Sequence, residues 1–342
     1  MDSSDAPIRW HAQRPGRKGE PLHALPLVTL YLTERCNSRC VSCDYWRHGR
    51  RDMQLDELQQ LLPGLRAMGT RVVLVSGGEP LLNPHWAEMA ALMRAQGLRL
   101  WLLSAGLALA KHAAAVAGLF ESLTVSLDGS TRASYLAIRG VDAFDKVCEG
   151  IRAAAALGLP AGLRVTVQRA NCRELPSLVK LARELGAASI SFLAADVGHG
   201  EAFGRLEGSG PGIALQAEDL PALAEAIDTL ERDHADDFAS GFILESPTKL
   251  RRLHAYSRAL CGLGEFPPVR CNAPEFSAVV EADGALRPCF FIAGTEKSWD
   301  LAAGINTQPM QALRTDIRDG QRSECVRCVC AKWRDPAEAF LA

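Results

Sequence analysis

Three thiols fall inside the stretch Cys36-Asn37-Ser38-Arg39-Cys40-Val41-Ser42-Cys43, directly after the apolar run Leu27-Val28-Thr29-Leu30-Tyr31-Leu32. Thiolates are soft ligands, and Cys clustered in a cytosolic-looking chain read as iron-sulfur or zinc ligation before they read as disulfides. A closed structural site takes four protein ligands, whereas three leave one metal position open for something that reacts. On residue types alone His48 completes a zinc site with Cys36, Cys40 and Cys43, and three free buried thiols are the bland alternative.

Of the 11 Cys, six more lie in the last quarter of the chain: Cys261, Cys271, Cys289, Cys325, Cys328 and Cys330. Residues 276–282, the dipeptide Asp283-Gly284 and residues 285–290 read as a β-hairpin that brings Cys271 and Cys289 together. Closed by Cys325-x2-Cys328, that is a four-thiolate cage, with Cys330 or Cys261 as alternates. Such a cage takes [4Fe-4S], [2Fe-2S] or zinc. Cys148 and Cys172 stand alone and read as packing.

Other polar motifs sit at the ends of strand-like runs. Ser76-Gly77-Gly78-Glu79-Pro80 offers two glycines for close backbone approach and one carboxylate acceptor. Ser104 and Ser126-Leu127-Asp128-Gly129 close two later runs, and the second reads by itself as an Asp-Gly turn. Arg139 and Arg164 are carboxylate partners or surface charges.

The elements that position these residues follow from periodicity. Strand-like runs at residues 27–32, 71–76, 98–103, 122–127, 163–167 and 189–193 alternate with helical spacing at 55–68, 84–95, 107–119, 143–156 and 174–185. Repeated βαβ units imply parallel strands covered by helices, and six of them an α/β partial (β/α)6 barrel. In barrels of this kind chemistry gathers at the C-terminal ends of the strands, where both the Cys36 loop and the Gly77-Gly78 motif fall.

With 342 residues and 48% hydrophobic content the chain buries a large core. The formal net charge of -2 gives no general attraction to nucleic acid or anionic membrane, and the Arg47, Arg50 and Arg51 patch is local. No run approaches the roughly 18 apolar residues of a membrane span, and the polar start carries no signal-type apolar segment. A cytoplasmic location is expected. Residues 1–25 read as a surface lead-in, 26–215 as the barrel, 216–260 as connecting helices and 261–342 as a small α+β cluster-binding domain. The Gly-rich stretch 196–215 reads as a linker or lid near the barrel mouth, where His199 and Glu201 could meet a substrate.

The loop Cys36-x3-Cys40-x2-Cys43 after a first strand, with Gly77-Gly78-Glu79-Pro80 after the second, resembles the radical S-adenosylmethionine (radical SAM) superfamily. The residue before the third Cys, often aromatic there, is Ser42 here, and Tyr45 and Trp46 follow. The resemblance implies that Cys36, Cys40 and Cys43 hold three irons of a [4Fe-4S] cluster whose fourth iron is chelated by SAM. Electron transfer then cleaves SAM to methionine and a 5′-deoxyadenosyl radical. It carries Gly77, Gly78, Glu79 and Pro80 over to the methionyl amino group, and Ser104, Ser126 and Asp128 to polar SAM contacts. The layout Cys271-x12-Gly284-x4-Cys289 with Cys325-x2-Cys328 is similar to the SPASM or twitch region, which implies one auxiliary iron-sulfur cluster. The implied activity is hydrogen abstraction from a peptide under modification, or dehydrogenation of a small-molecule alcohol, with an external donor such as flavodoxin or ferredoxin. Readings from other classes are a non-catalytic iron-sulfur protein and a zinc-binding interaction module.

Overall fold

Residues 20–200, 202–205, 212–330 and 332–335 are described by a computed structural model. Six strands, β1 (Leu27–Thr33), β2 (Val72–Gly77), β3 (Arg99–Ser104), β4 (Ser122–Ser126), β5 (Ala161–Val167) and β6 (Ser189–Ala194), pair in sequence order and all parallel. The crossovers carry α1 (Tyr45–His48), α2 (Leu55–Ala67), α3 (Trp86–Ala95), α4 (Leu109–Leu119), α5 (Arg132–Arg139), α6 (Phe144–Ala156) and α7 (Leu175–Glu184). Among the described residues no pairing joins β6 to β1, so the barrel is partial.

Alternation along the strands separates a dry face from an open one. Leu30, Leu32, Val73, Val75, Leu102, Val125, Val165 and Phe192 pack with the helices in one core. The intervening positions on β4 and β5 include Thr124, Ser126, Arg164 and Thr166, each only half-buried. Strands β1 and β2 are therefore buried along most of their length, whereas β4 and β5 alternate and their inner face is polar.

After β6 come α8 (Leu220–Asp233), α9 (Ala235–Ala239) and α10 (Pro247–Leu260). Ile190 and Ile243 form a parallel bridge that covers the β6 edge. The chain then crosses to the opposite edge, where β7 (Ser277–Val280) pairs parallel with β1. β8 (Ala285–Arg287) and β9 (Glu296–Lys297) continue antiparallel, and Gly284, with φ +83°, makes the hairpin turn. The hairpin is as expected, but it extends one nine-stranded sheet. Behind it lie α11 (Leu301–Gly304), α12 (Gln308–Arg318) and α13 (Ser323–Val326), and Leu301 and Ala302 back onto Gly64 of α2.

In the described end of the lead-in Glu20, Pro21 and His23 are exposed, in keeping with the surface reading, but Leu22 and Leu25 are buried and correct it there: Leu25 is fully buried and its carbonyl accepts from the Thr70 hydroxyl. Glu201 lies outside the described residues.

Candidate functional site

The cysteine loop leaves the C-terminal end of β1 and is fastened on both sides. The N–H groups of Arg39 and Val41 donate to the carbonyls of Arg139 and Ile138 at 2.9 and 3.0 Å, so the loop caps the last turn of α5. That helix starts at Thr131, whose hydroxyl accepts from the Ser134 N–H, and ends at Gly140 in the left-handed region, φ +68°. A Cβ at Gly140 would stand 2.2 Å from the Arg39 carbonyl oxygen. On the other side the N–H groups of Gly78 and Glu79 donate to the carbonyls of Thr33 and Arg35. A Cβ on Gly77 would meet the Thr33 oxygen at 2.3 Å and one on Gly78 the Arg35 oxygen at 2.2 Å. In this structure the two glycines admit the backbone that launches the cysteine loop.

Burial first, then the neighbouring Cys40 thiol, push Cys36 up to about 11, and burial with Cys40 and Cys36 pushes Cys43 up to about 12. Bare, these thiols hold their protons, and binding a metal is what ionises them. Among the described residues no three His, Cys, Asp or Glu converge on a single-ion position. His48 is engaged elsewhere, with Nε2 2.6 Å from the Gly204 carbonyl oxygen, so it does not complete a zinc site with the three thiols. Cys36 opens with Asn37, Ser38, Arg39, Trp46 and Arg47 onto a space of about 590 Å³.

Beside the thiols, Arg139 donates from Nη1 to Asp128 Oδ2 at 3.0 Å, both side chains being buried. Burial would lower the Arg139 pKa, but the Cys40 and Cys36 thiols and the Asp128 carboxylate raise it. Its Nε has no partner, and neither have Asn37 Oδ1 and Ser38 Oγ in the loop itself. Buried polar atoms without partners are uncommon. Three soft ligands ringed by such atoms fit a cluster carrying a polar, carboxylate-bearing ligand.

The remaining expected contacts divide. Glu79 is fully buried, and its carboxylate accepts from the Ala105 N–H at 2.6 Å, the Leu81 N–H and the Ser104 hydroxyl. Glu79 and Ser104 therefore spend their hydrogen bonds on one another and on the β3 end rather than on an open site. Burial, outweighing these bonds, raises the Glu79 pKa. Pro80 starts the short 3₁₀ turn Pro80–Leu82 and is buried. Asp128 is tied to Arg139 and to the Thr166 N–H. Ser126 makes no side-chain hydrogen bond among the described residues and stays half-buried on the inner face.

Five of the six cysteines of the second group come together. Cys271, Cys289, Cys325, Cys328 and Cys330 line one cavity of about 70 Å³ together with Leu27 and Thr29 of β1. Burial first, then Cys325 and Cys271, push the Cys289 thiol up to about 11; burial, Cys330, Cys271 and Cys289 push Cys328 to about 12. Cys261 is not among them: it caps α10, and its thiol donates to the Leu215 carbonyl. That removes Cys261 as an alternate and leaves Cys330.

His199 does not meet open solvent. Its Nδ1 stands 2.5 Å from Asp196 Oδ1 and its Nε2 2.8 Å from the Glu324 carbonyl oxygen, next to Cys325. Burial would lower its pKa, but the bonds to Asp196 and Glu324 raise it. Arg205 holds Asp196 from the other side. Farther along the same loop the Phe203 carbonyl accepts from the Asp44 N–H and the Cys43 thiol. Residues 196–205 thus run from one cysteine group to the other.

A third cluster was not legible in the sequence. Tyr45 donates to Glu281 Oε1 at 3.4 Å, Arg287 pairs with the same oxygen at 2.8 Å, and Tyr31 meets Tyr45 edge to face at 6.1 Å. It ties the turn after Cys43 to the hairpin. Residue types alone gave no signal, because its members lie 236 positions apart.

Residues 30–182 match the model of the Radical SAM superfamily. An Fe-coproporphyrin III synthase of Methanosarcina barkeri is 30% identical over 175 residues, 49% of this chain and 43% of that protein. A "Probable GTP 3',8-cyclase" of Saccharolobus islandicus is 28% identical over 284 residues, 80% of this chain and 85% of that one. The chain spans 43% and 48% of the length of the two Methanosarcina barkeri proteins it matches. Among solved structures, Streptococcus suis SuiB bound to S-adenosylmethionine superposes with a TM-score of 0.66 at 15% identity, over 92% of this chain and 74% of SuiB.

Proposed function

We propose, since the chain belongs to the radical SAM superfamily, whose cofactors are a [4Fe-4S] cluster and S-adenosylmethionine, that Cys36, Cys40 and Cys43 are its cluster ligands and that the enzyme abstracts hydrogen from a peptide. The observation that carries this is the thiol loop itself, three ligands clamped between α5 and the Gly77-Gly78 turn, with the Nε of Arg139 unpartnered beside them. When bound, the cluster and SAM supply a one-electron reductive cleavage and a carbon radical.

The chain's own residues position and enclose. Arg139, already fixed by Asp128, presents a guanidinium suited to the SAM carboxylate, and the free Ser126 hydroxyl offers a further polar contact. Gly77 and Gly78 set the backbone that would receive the methionyl group of SAM. Glu79, Pro80 and Ser104 act through that backbone by holding the β2 and β3 ends together. Cys271, Cys289, Cys325 and Cys328, with Cys330 as alternate, would hold an auxiliary iron-sulfur cluster, which would supply a site for one-electron transfer beside the barrel. A flavodoxin- or ferredoxin-type donor supplies the reducing electron, and the compartment is the cytoplasm.

A peptide is favoured because SuiB, which this fold resembles over most of its length, has been solved bound to its precursor peptide SuiA. A small-molecule substrate is the second reading, favoured by the cyclase relative that aligns over 80% of this chain. The test is anaerobic reconstitution with iron and sulfide, reduction with dithionite and measurement of 5′-deoxyadenosine. Stoichiometric release from SAM supports the reading; a reduced, iron-loaded protein that releases none overturns it.

A further inference from the structure

Two segments in the wall of the second cysteine group alternate in the same sense. Val269 and Cys271 line the cavity, and Arg270 between them is exposed. Cys325 and Cys328 line it too, and Val326 and Arg327 between them are exposed, Val326 by 61%. Consecutive Cα atoms stand about 3.8 Å apart, so each segment sets a guanidinium one residue outside a thiol.

Ring and carbonyl contacts join the two segments into one outer face. The Arg327 guanidinium stands 5.3 Å from the Phe266 ring centre, Phe266 meets Tyr256 at 5.6 Å, and the Arg270 guanidinium lies 3.9 Å over Trp333. Arg252 donates to the Pro267 carbonyl at 3.2 Å and Arg258 to the Leu263 carbonyl at 3.0 Å. Carboxylates hold the neighbouring Arg251, but Arg252, Arg258, Arg270 and Arg327 form no ion pair among the described residues. From 252 to 271 the sole carboxylate is Glu265, and Glu324 beside Cys325 is taken by Arg322. A chain of net charge -2 therefore gathers free positive charge here. Leu263 and Trp333, 49% and 44% exposed, add apolar area to the same face. Exposed apolar side chains set among Arg and Trp are the composition of a protein-docking surface.

We infer that this face docks an acidic one-electron carrier protein, bringing its redox centre over the second cysteine group rather than over the Cys36 loop. The free guanidinium groups select an acidic partner, and their stacking on Phe266 and Trp333 fixes them in place with N–H groups left for carboxylates. In the patch behind the Cys36 loop, Arg47 and Arg51 are already paired with Asp44 and Glu57. A peptide under modification has to reach the inside of the barrel, whereas these arginines face outward. The carrier is oxidised by one electron and the group held by the thiols is reduced by one, with no bond made or broken. The inference rests on the reading of the second group as an iron-sulfur site and names where its donor sits.

The test measures binding of an oxidised bacterial flavodoxin, an acidic protein, to the iron-loaded full chain by calorimetry. Wild type is expected to bind it, more weakly as salt is raised. The double variant Arg258→Glu, Arg270→Glu should weaken binding by about tenfold or more, because like charges then face each other. Trp333→Ala should weaken it as well, while Arg50→Glu in the other basic patch leaves it unchanged. Release of 5′-deoxyadenosine driven by reduced flavodoxin falls in the double variant, and release driven by dithionite does not. The inference is overturned if wild type does not bind, if the double variant and Trp333→Ala both bind like wild type, or if Arg50→Glu abolishes binding instead. It is also overturned if a decaglutamate peptide displaces flavodoxin at equal concentration, which makes the face a site for acidic peptide. Trp333→Ala removes no charge and reports even if the double variant fails to load iron. Failure of the parent reading is separate, since it shows as absent iron in the tail or as no 5′-deoxyadenosine with dithionite.

Discussion

At Arg139 the ion pair with Asp128, the neighbouring Cys36 and Cys40 thiols and an unpartnered Nε all meet on one buried guanidinium. Arg139→Met leaves the Asp128 carboxylate buried without its cation, a loss of about 3–5 kcal/mol. Denaturant unfolding of the iron-loaded protein should show that loss together with weakened SAM binding; unchanged stability would mean that the pair is not load-carrying. Glu79 separates two roles for one side chain. Glu79→Gln keeps one acceptor oxygen and turns its amide donor toward the N–H group of either Ala105 or Leu81, which should cost about 1–3 kcal/mol. If SAM affinity fell with no loss of stability, the side chain would be a ligand and not a brace.

The element that matters most for the cysteine loop is α5, because its last carbonyls hold the Arg39 and Val41 N–H groups. Gly140→Ala forces a Cβ into the Arg39 carbonyl at a left-handed position and should cost more than the ~1 kcal/mol of an ordinary helix-end change, with reduced iron uptake as the readout. Iron uptake equal to wild type would contradict the clamp. The loop 196–205 predicts a pH effect. His199 has a raised pKa in the fold, so its contribution is complete below about 6.5 and is lost as pH rises through the raised value. Asp196, whose pKa burial would raise but His199 and Arg205 lower, stays charged over that range, and the Glu324 carbonyl does not titrate. The difference in Tm between wild type and His199→Gln should therefore be larger at pH 6 than at pH 9, and a difference that grows with pH would refute the assignment.

Much of this was legible in the chain at the scale of elements. All six parallel strands and the hairpin at Gly284 follow from apolar periodicity and turn chemistry, which are local. Helix α5 went unread because it is a short amphipathic stretch, although Thr131 and Gly140 mark its two ends as cap residues. His199 and Glu79 were read as open side chains because burial depends on partners far away in sequence, Glu324 and Ser104.

For the whole molecule, the pairing of β7 with β1 makes the barrel and the cysteine-rich tail one sheet. Without the tail, Leu27 and Thr29 lose the wall they share with Cys271 and Cys289. Thermal unfolding of the intact chain should therefore follow a single transition, and two separated transitions would show that the tail folds independently. The most direct measurement of the central claim is iron and sulfide content after anaerobic reconstitution, comparing wild type with the triple variant Cys36→Ala, Cys40→Ala, Cys43→Ala. Two four-iron clusters predict that the variant keeps about half of both elements and releases no 5′-deoxyadenosine. A variant that keeps all its iron, or one that loses all iron while zinc remains in the tail, would contradict the account.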